Sequence, residues 1–437
     1  MLIASRHARR TNDMDSDFIE DQLQQAADLL DAGKPAEALR CLEAIQDELL
    51  ESEERIECAS LSGWALSGLG RADEAVALLQ PLLEQFPESS RLFGTLGVVL
   101  SDAERLEEAC DVLEKAIELD HTDGVLLANL GYVHEKLHDC VAATKLYDRS
   151  LQNGADVGWV LRRLATVQCD MDEHAAARAS LRRYLSLCPE DSAEWISLAI
   201  VYSELGEYDD SFECYRRAES LGADDVSLHF NWGLTAERAG RVEDARARLR
   251  RLTAVASDSP QVAVLRGFIL EHEGDLEAAF ASHLEAIVRA GGEHIEERVY
   301  AYETAMDFCA EHKMRDEAEA LFRRAYADDA CSVELCEAHR ELTGESLDRA
   351  YWFSLMMDKR GRRRGPRSKT RSTARRFQVV ARDRDHAIAM VHEFVQRMGD
   401  TKVSVSEFVN EEPMEDTFTG IYEVEPRLKR RTHDKSP

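Results

Sequence analysis

A period of 34 residues limits what this chain can fold into. One place in that period holds a small residue seven times in succession: Ala75, Ala109, Ala143, Ala177, Ser211, Ala245 and Ala279. The register continues more loosely to Ala38 and to Ala318, with steps of 37 and 39 residues. Twelve residues earlier stands a second series of small residues, interrupted by Met306: Ala26, Gly63, Gly97, Gly131, Ala165, Ala199, Gly233 and Gly267. Such a period indicates internal structural repeats.

Each period has the pattern of two amphipathic helices joined by a short polar turn. In residues 91–123, large apolar residues such as Phe93, Leu100 and Leu113 fill the places between the small ones. One helix pair cannot bury its own apolar stripe, so it requires copies of itself on both sides. The low content of glycine and proline, 23 and 9 of 437 residues, is typical of a mostly helical protein.

The residues at fixed places in the period carry a family resemblance. The unit around Trp195 shows them most fully: Trp195, Leu198, Ala199, Tyr202, Gly206, Ser211, Tyr215 and Ala218. Pro87 and Pro189 close two of the units. This pattern resembles the tetratricopeptide repeat family, whose unit is a 34-residue helix-turn-helix. The resemblance implies an all-α fold, a right-handed α-solenoid of about nine such repeats over residues 18–330. For function the resemblance implies only protein binding in general. It implies nothing more specific, because these repeats serve unrelated tasks.

Segments outside the repeats differ in composition. We predict a disordered N-terminus at 1–17 and C-terminal capping helices at 331–358. A basic linker at 359–376 holds ten basic residues and no acid. At 377–426 we predict a small α+β module of order βαββ, from the strand FQVVA, the helix HAIAMVHEFVQRM and the strands KVSVSEFV and GIYEVE. A basic disordered tail is predicted at 427–437.

The net charge of −30 argues against general affinity of the repeats for nucleic acid or anionic membranes. No signal peptide or membrane span is visible, so we predict a cytoplasmic protein. The ten cysteines form no CxxC pair. Inert thiols in a reducing compartment are the favoured interpretation, with redox-sensitive or metal-binding use as the alternative.

One motif matches an enzyme pattern. Residues 134–138 read HEKLH, as in zinc proteases that hold zinc with two histidines one helical turn apart. His138 stands where other units have the turn glycine, so we expect the helix to end before the two histidines can align. Phosphate-binding, dinucleotide-binding, nucleophile-elbow and calcium-loop motifs are missing from the sequence. We therefore predict a non-enzymatic protein with no metal and no cofactor.

The resemblance also implies a binding surface. In tetratricopeptide proteins the first helix of each unit lines a concave groove, and its second, fifth and ninth positions point into that groove. Here these positions include an apolar and aromatic set: Trp64, Val98, Tyr132, Trp159, Arg162, Ile196, Ile200, Phe230, Leu234, Val264 and Phe268. Such a strip inside an acidic shell would suit an extended peptide or amphipathic helix from a protein partner of unknown identity, and basic flanks on that segment would match the acidic shell. The alternative for each residue is packing against adjacent helices.

Two groove variants of the family fit less well. A carboxylate clamp would have only Arg162 and Lys136, and an asparagine ladder would have only Asn129 and Asn231. Neither set is complete, so neither variant is favoured.

The alternative function is nucleic-acid-associated regulation, with phosphate contacts from Arg362, Arg363, Arg364 and Arg367 and from the C-terminal module. The linker lacks aromatic residues that would stack on bases, which weakens this hypothesis. The two alternatives for the linker are docking against the acidic solenoid and service as an unstructured spacer. The oligomeric state is open.

Overall fold

The computed structural model describes residues 18–45, 50–155, 157–291, 295–328, 330–343, 346–360, 372–381, 384–397, 403–418, 420–424 and 428–429. The chain divides into two compact units: unit 1, Met1–Ala223, and unit 2, Asp224–Pro437.

The described part of unit 1 contains six helix pairs. The first helices are α1 (18–31), α3 (Ser52–Gly68), α5 (Ser90–Asp102), α7 (Gly124–Lys136), α9 (Val157–Asp170) and α11 (Ser192–Glu204). The second helices are α2 (Pro35–Glu43), α4 (Ala72–Gln85), α6 (Leu106–Leu119), α8 (Cys140–Gln152), α10 (His174–Leu187) and α12 (Tyr208–Ser220). Consecutive first helices contact each other from α3 to α9.

Unit 2 continues the series with three more pairs. Its first helices are α13 (Val226–Arg238), α15 (Pro260–His272) and α17 (Ile295–Glu311), and its second helices are α14 (Val242–Val255), α16 (Leu276–Arg289) and α18 (Arg315–Ala327). A further helix, α19 (Val333–Thr343), contacts α17. The predicted helical repeat solenoid is confirmed, while its handedness stays a prediction.

The small residues of the repeat mark close contacts between the two helices of a pair. A Cβ atom added to Gly97 in α5 would lie 2.4 Å from Leu113 Cγ in α6. In other pairs, too, the large residue stands sixteen residues after the small one: Tyr147 lies opposite Gly131, and His283 lies opposite Gly267. A small residue facing a large one lets the helices approach and still fill the interface, which explains the second series of small residues in the sequence.

The turn between the helices of a pair requires one residue in the left-handed region. Gly70 and Gly206 have φ values of 72° and 73° at this place. His138 and Glu104 occupy the same place with φ values of 60° and 59°. The prediction that His138 stands in the turn is therefore confirmed.

The C-terminal part of unit 2 contains strands. These are β1 (Ser346–Arg360), β2 (Ser372–Ala381), β3 (Val403–Phe418), β4 (Gly420–Val424) and β5 (Leu428–Lys429), with helix α20 (Arg384–Arg397) between β2 and β3. They form an antiparallel sheet of order β3-β1-β2-β4, and β5 also pairs with β2. Alternate residues of β2 are buried, as is one stripe of α20: Phe377, Val379, Ala381, Ala387, Val391 and Val395.

Three predictions about this part of the chain were wrong. Residues 346–360 form strand β1 and not a capping helix, because they pair with β2 on one side and β3 on the other. Aromatic residues within 346–360 favour a strand once such partners exist. Likewise the ends of the predicted linker, 359–360 and 372–376, belong to strands, and residues 428–429 of the predicted tail pair with β2.

The predicted βαββ module is not supported as a separate unit. Strand β2 pairs with β1, which precedes the predicted module, and β4 contacts α19. The predicted disordered N-terminus at 1–17 lies outside the described residues.

Candidate functional site

The candidate site is the surface formed by the second, fifth and ninth positions of successive first helices, which we call the first-helix face. In unit 1 the face retains accessible apolar side chains. Trp64 is 39% exposed and Arg162 is exposed. The other accessible members in unit 1 are half-buried: Val98, Tyr132, Trp159 and Ile200.

Three predicted members of this surface are buried. Ile196 is 5% exposed, Phe230 is 8% exposed and Val264 is 1% exposed. These side chains pack against neighbouring helices and offer almost no surface to a partner, so the packing alternative holds for them. In unit 2, Leu234 and Phe268 remain half-buried.

An aromatic group lies at the centre of the first-helix face of unit 1. The rings of Tyr132 and Trp159 meet edge-on with centroids 6.1 Å apart. Trp159 makes a second edge-on contact, with Tyr147 at 6.2 Å. These contacts hold the indole between two helices, so the half-exposed pair is an ordered apolar surface.

Two cations flank Tyr132. The Arg163 guanidinium lies 5.0 Å from the ring centroid, and the Lys136 Nζ atom lies 5.6 Å from it. Lys136 Nζ donates to Glu104 Oε1 at 2.8 Å and to the Ser101 carbonyl oxygen at 3.1 Å. Both cations have carboxylate partners, so Lys136 is not available for a carboxylate clamp.

Glu135 is the carboxylate that pairs with Arg163. It is nearly buried and accepts from Arg163 Nε at 3.1 Å and from the Tyr147 hydroxyl at 2.7 Å. Burial, reinforced by this hydrogen bond, raises the pKa of Tyr147. The network joins α7, α8 and α9, which makes Glu135 a structural residue of the repeat interface.

The HEKLH motif lacks the geometry of a zinc protease. Its glutamate is Glu135, whose oxygens are occupied by Tyr147 and Arg163. Helix α7 ends at Lys136, so His138 lies beyond the helix, and His134 Nδ1 stands 3.4 Å from Asp139 Oδ2. The two histidines therefore do not share a helical face.

Arg162 is the predicted cation of the face. It lies near Glu194 of α11, a half-buried carboxyl. Burial raises the pKa of Glu194, Asp191 adds to the rise, and Arg162 opposes it.

Tyr300 is a member of the face in unit 2 that the sequence analysis missed. Its ring meets that of Phe230 edge-on at 6.2 Å, although α17 and α13 are separated in sequence by α14, α15 and α16. Tyr300 is 38% exposed. The sequence carries the signal that would have predicted it. Counting back from Ala318 in the repeat places residues 300, 303 and 307 at the second, fifth and ninth positions of the first helix.

The other two of these positions are acidic. Glu303 is half-buried, and burial raises its pKa, with a hydrogen bond from Ser332 opposing the rise. Asp307 is exposed as a residue, but its carboxyl is partly screened from water by the surrounding protein, and this burial raises its pKa. The face of unit 2 therefore combines an aromatic ring with two partly desolvated carboxyls.

Glutamate–histidine pairs connect the ends of the first helices in unit 2. His272 Nδ1 lies 3.1 Å from Glu237 Oε1, and His312 Nε2 lies 2.6 Å from Glu271 Oε1. Glu311 brings a third ligand atom close to the second pair, within 4.8 Å. Among the described residues, Glu271, Glu311 and His312 are the group whose spacing would suit a metal ion.

The predicted phosphate contacts cannot be placed. Arg362, Arg363, Arg364 and Arg367 lie outside the described residues, and their role stays a prediction.

Comparison with protein families agrees with the helix pairs. A model described as tetratricopeptide repeat matches residues 61–123 and 230–294, and a second model with that description matches 195–224. The chain is a tetratricopeptide repeat protein. This assignment supports a protein-interaction scaffold as the class of function. A comparison with curated proteins gives no match.

Three solved structures are similar to parts of this tetratricopeptide repeat protein at low sequence identity. YrrB, described as a tetratricopeptide repeat protein with an unusual peptide-binding site, is 19% identical with a TM-score of 0.40, covering 42% of this chain and 95% of YrrB. The pilF protein of Pseudomonas aeruginosa is 18% identical with a TM-score of 0.43, covering 48% and 96%. A tetratricopeptide repeat protein from Parabacteroides merdae is 17% identical with a TM-score of 0.45, covering 58% and 99%.

Within the described ranges, no helix of this tetratricopeptide repeat protein has both the length and the apolar composition needed to cross a membrane. The cytoplasmic location stays a prediction.

Proposed function

We propose that this protein is a non-enzymatic scaffold that binds an extended peptide or an amphipathic helix of a partner protein on the first-helix face of unit 1. The observation that carries the proposal is the Tyr132–Trp159 pair, an ordered and half-exposed aromatic surface. Aromatic anchors that cluster in a partly desolvated site contribute most of the binding energy in protein interfaces.

The surroundings of the pair favour apolar recognition. Lys136 and Arg163 beside Tyr132 are already neutralised by Glu104 and Glu135, so a partner need not supply charges to them. Trp64, Val98 and Ile200 extend the apolar surface on other first helices, and Arg162 supplies an exposed cation. The proposed site in unit 1 is therefore the following set: Trp64, Val98, Tyr132, Trp159, Arg162 and Ile200.

We further propose that the C-terminal segment of unit 2 forms a small α+β layer. The buried stripe of α20 and the buried alternate residues of β2 support such a layer. Its function stays open, and the nucleic-acid alternative rests on residues outside the described part.

The test uses peptides selected from a random phage-displayed library on the full chain, followed by fluorescence anisotropy of the enriched sequences. The variant Trp64→Ala with Tyr132→Ala should weaken their binding by about tenfold or more, because both anchors are removed. Circular dichroism should show unchanged helical content.

Leu78→Ala is the matched control, because Leu78 is 38% exposed on second helix α4, against 39% for Trp64. This control should bind as the wild type does. Equal binding by the double variant, or an equal loss in the control, would place the site elsewhere.

A further inference from the structure

We propose that the first-helix face of unit 2 binds a lysine- or arginine-bearing segment of a partner protein, and that the basic side chain lies beside Tyr300, Glu303 and Asp307. This inference rests on the proposed function in one respect: it assumes that first-helix faces of this protein bind protein segments. It adds the chemical class of the segment and a second surface.

The three side chains form one stripe. They are spaced three and four residues apart on α17, which places them on the same side of the helix. Tyr300 is held by its edge-on contact with Phe230 of α13 and keeps 38% of its surface exposed. The stripe thus has an apolar anchor at one end and carboxyls along the rest of its length.

Charge selects the occupant. Burial is the first cause of the raised pKa of both Glu303 and Asp307, and no cation is among the described groups that shift either pKa. Glu237 and Glu271 on the neighbouring first helices differ in this respect, because each has a histidine partner. A partly desolvated carboxylate without a cation is stabilised when a basic side chain arrives.

A basic side chain also suits the ring. The face of a tyrosine attracts a lysine or arginine cation. Arg238 of α13, Glu303 and Asp307 all lie close enough to Tyr300 to influence its pKa, so two of these three charges are carboxylates. The net charge of −30 would speed the approach of a basic segment. These features favour a basic peptide over an acidic or a purely apolar one.

The experiment compares two synthetic amphipathic peptides that differ only in charge, one with leucine and arginine and one with each arginine replaced by glutamine. Anisotropy titrations against the full chain should show the arginine peptide binding about tenfold tighter or more. Glu303→Gln with Asp307→Asn should remove most of that preference.

The matched control is Glu243→Gln with Asp244→Asn, which changes the net charge by the same amount on second helix α14 of the same unit. It should keep the preference within about twofold, since only general electrostatic attraction is reduced. An equal loss in both variants would show that the peptide responds to the overall charge and would overturn the proposal.

Two further variants separate the possible failures. Trp64→Ala with Tyr132→Ala should leave the preference for the arginine peptide intact. A loss of library-peptide binding in this variant therefore tests the proposed site in unit 1 and not the surface in unit 2. Replacing Arg362, Arg363, Arg364 and Arg367 by glutamine tests the chain's own basic segment as occupant. Markedly tighter peptide binding by that variant would assign the surface to this segment and overturn the proposal.

Discussion

The two units give different charged neighbours to equivalent positions of one repeat. Glu135 in unit 1 and Glu237 and Glu271 in unit 2 are separated by multiples of 34 residues. In unit 1 the partner of this glutamate is Arg163, whereas in unit 2 the partners are His272 and His312.

The aromatic members of the first-helix faces differ in the same way. Tyr132 in unit 1 has the cations of Lys136 and Arg163 beside its ring, whereas the charged groups that act on Tyr300 in unit 2 are one cation, Arg238, and two carboxyls, Glu303 and Asp307. The repeat thus sets where a side chain stands, and its charged neighbours determine which partner it suits. Repeat proteins can vary such residues because each unit contacts mainly its neighbours.

The largest effect is expected at His283, where unit 1 has Leu113, Tyr147 and Leu181 at the equivalent place. His283 is fully buried beside Gly267, and neither of its ring nitrogens has a hydrogen-bond partner among the described residues. Burial lowers its pKa to about 4. The unfolded chain therefore takes up the proton first, and stability should fall as the pH drops from about 6.5 toward 4, by on the order of 3 kcal/mol.

The variant His283→Leu should remove this acid sensitivity, as measured by urea unfolding at about pH 7 and about pH 4.5. Leu113→His is the reciprocal change in unit 1 and should introduce acid sensitivity there. An unchanged pH dependence in His283→Leu would show that another group destabilises the protein in acid. The buried histidine would then not distinguish the acid stability of unit 2 from that of unit 1.

A smaller effect tests whether the small-residue place matters equally in both units. Gly97→Val and Gly233→Val would drive a side chain into Leu113 and Leu265, since an added Cβ already lies 2.4 Å and 2.5 Å from them. Each should cost about 1–3 kcal/mol in the free energy of unfolding, measured by denaturant titration. Val125→Ala, at a 55% exposed place, should change it by less than about 0.5 kcal/mol. A tolerated valine in one unit alone would show that its helices can separate.

The smallest effect concerns the glutamates. Glu135→Gln should cost about 2 kcal/mol, because Glu135 serves both the Tyr147 hydroxyl and the Arg163 guanidinium. Glu271→Gln should cost about 1 kcal/mol, because its hydrogen bond is to the His312 ring. Thermal unfolding would measure the loss of stability in each variant. Equal losses would show that an arginine partner and a histidine partner stabilise the glutamate to the same extent.

The sequence by itself determined the repeat. Small and large residues sixteen places apart, such as Gly97 and Leu113, meet within one helix pair, so their contact depends on neighbouring segments. The turn position is also set by local sequence, so the sequence alone assigns His138 to the turn and excludes it from a helical zinc motif.

Only the tertiary structure decided which side chains of the first-helix faces remain accessible and which segments pair at the C-terminus. Phe230 and Val264 fit the positional rule but are buried by neighbouring helices, and Tyr300 reaches Phe230 from two repeats further on. Strand β1 likewise forms because β2 and β3 flank it. Accessibility and strand pairing depend on contacts between residues far apart in the chain, and a local period carries no information about such contacts.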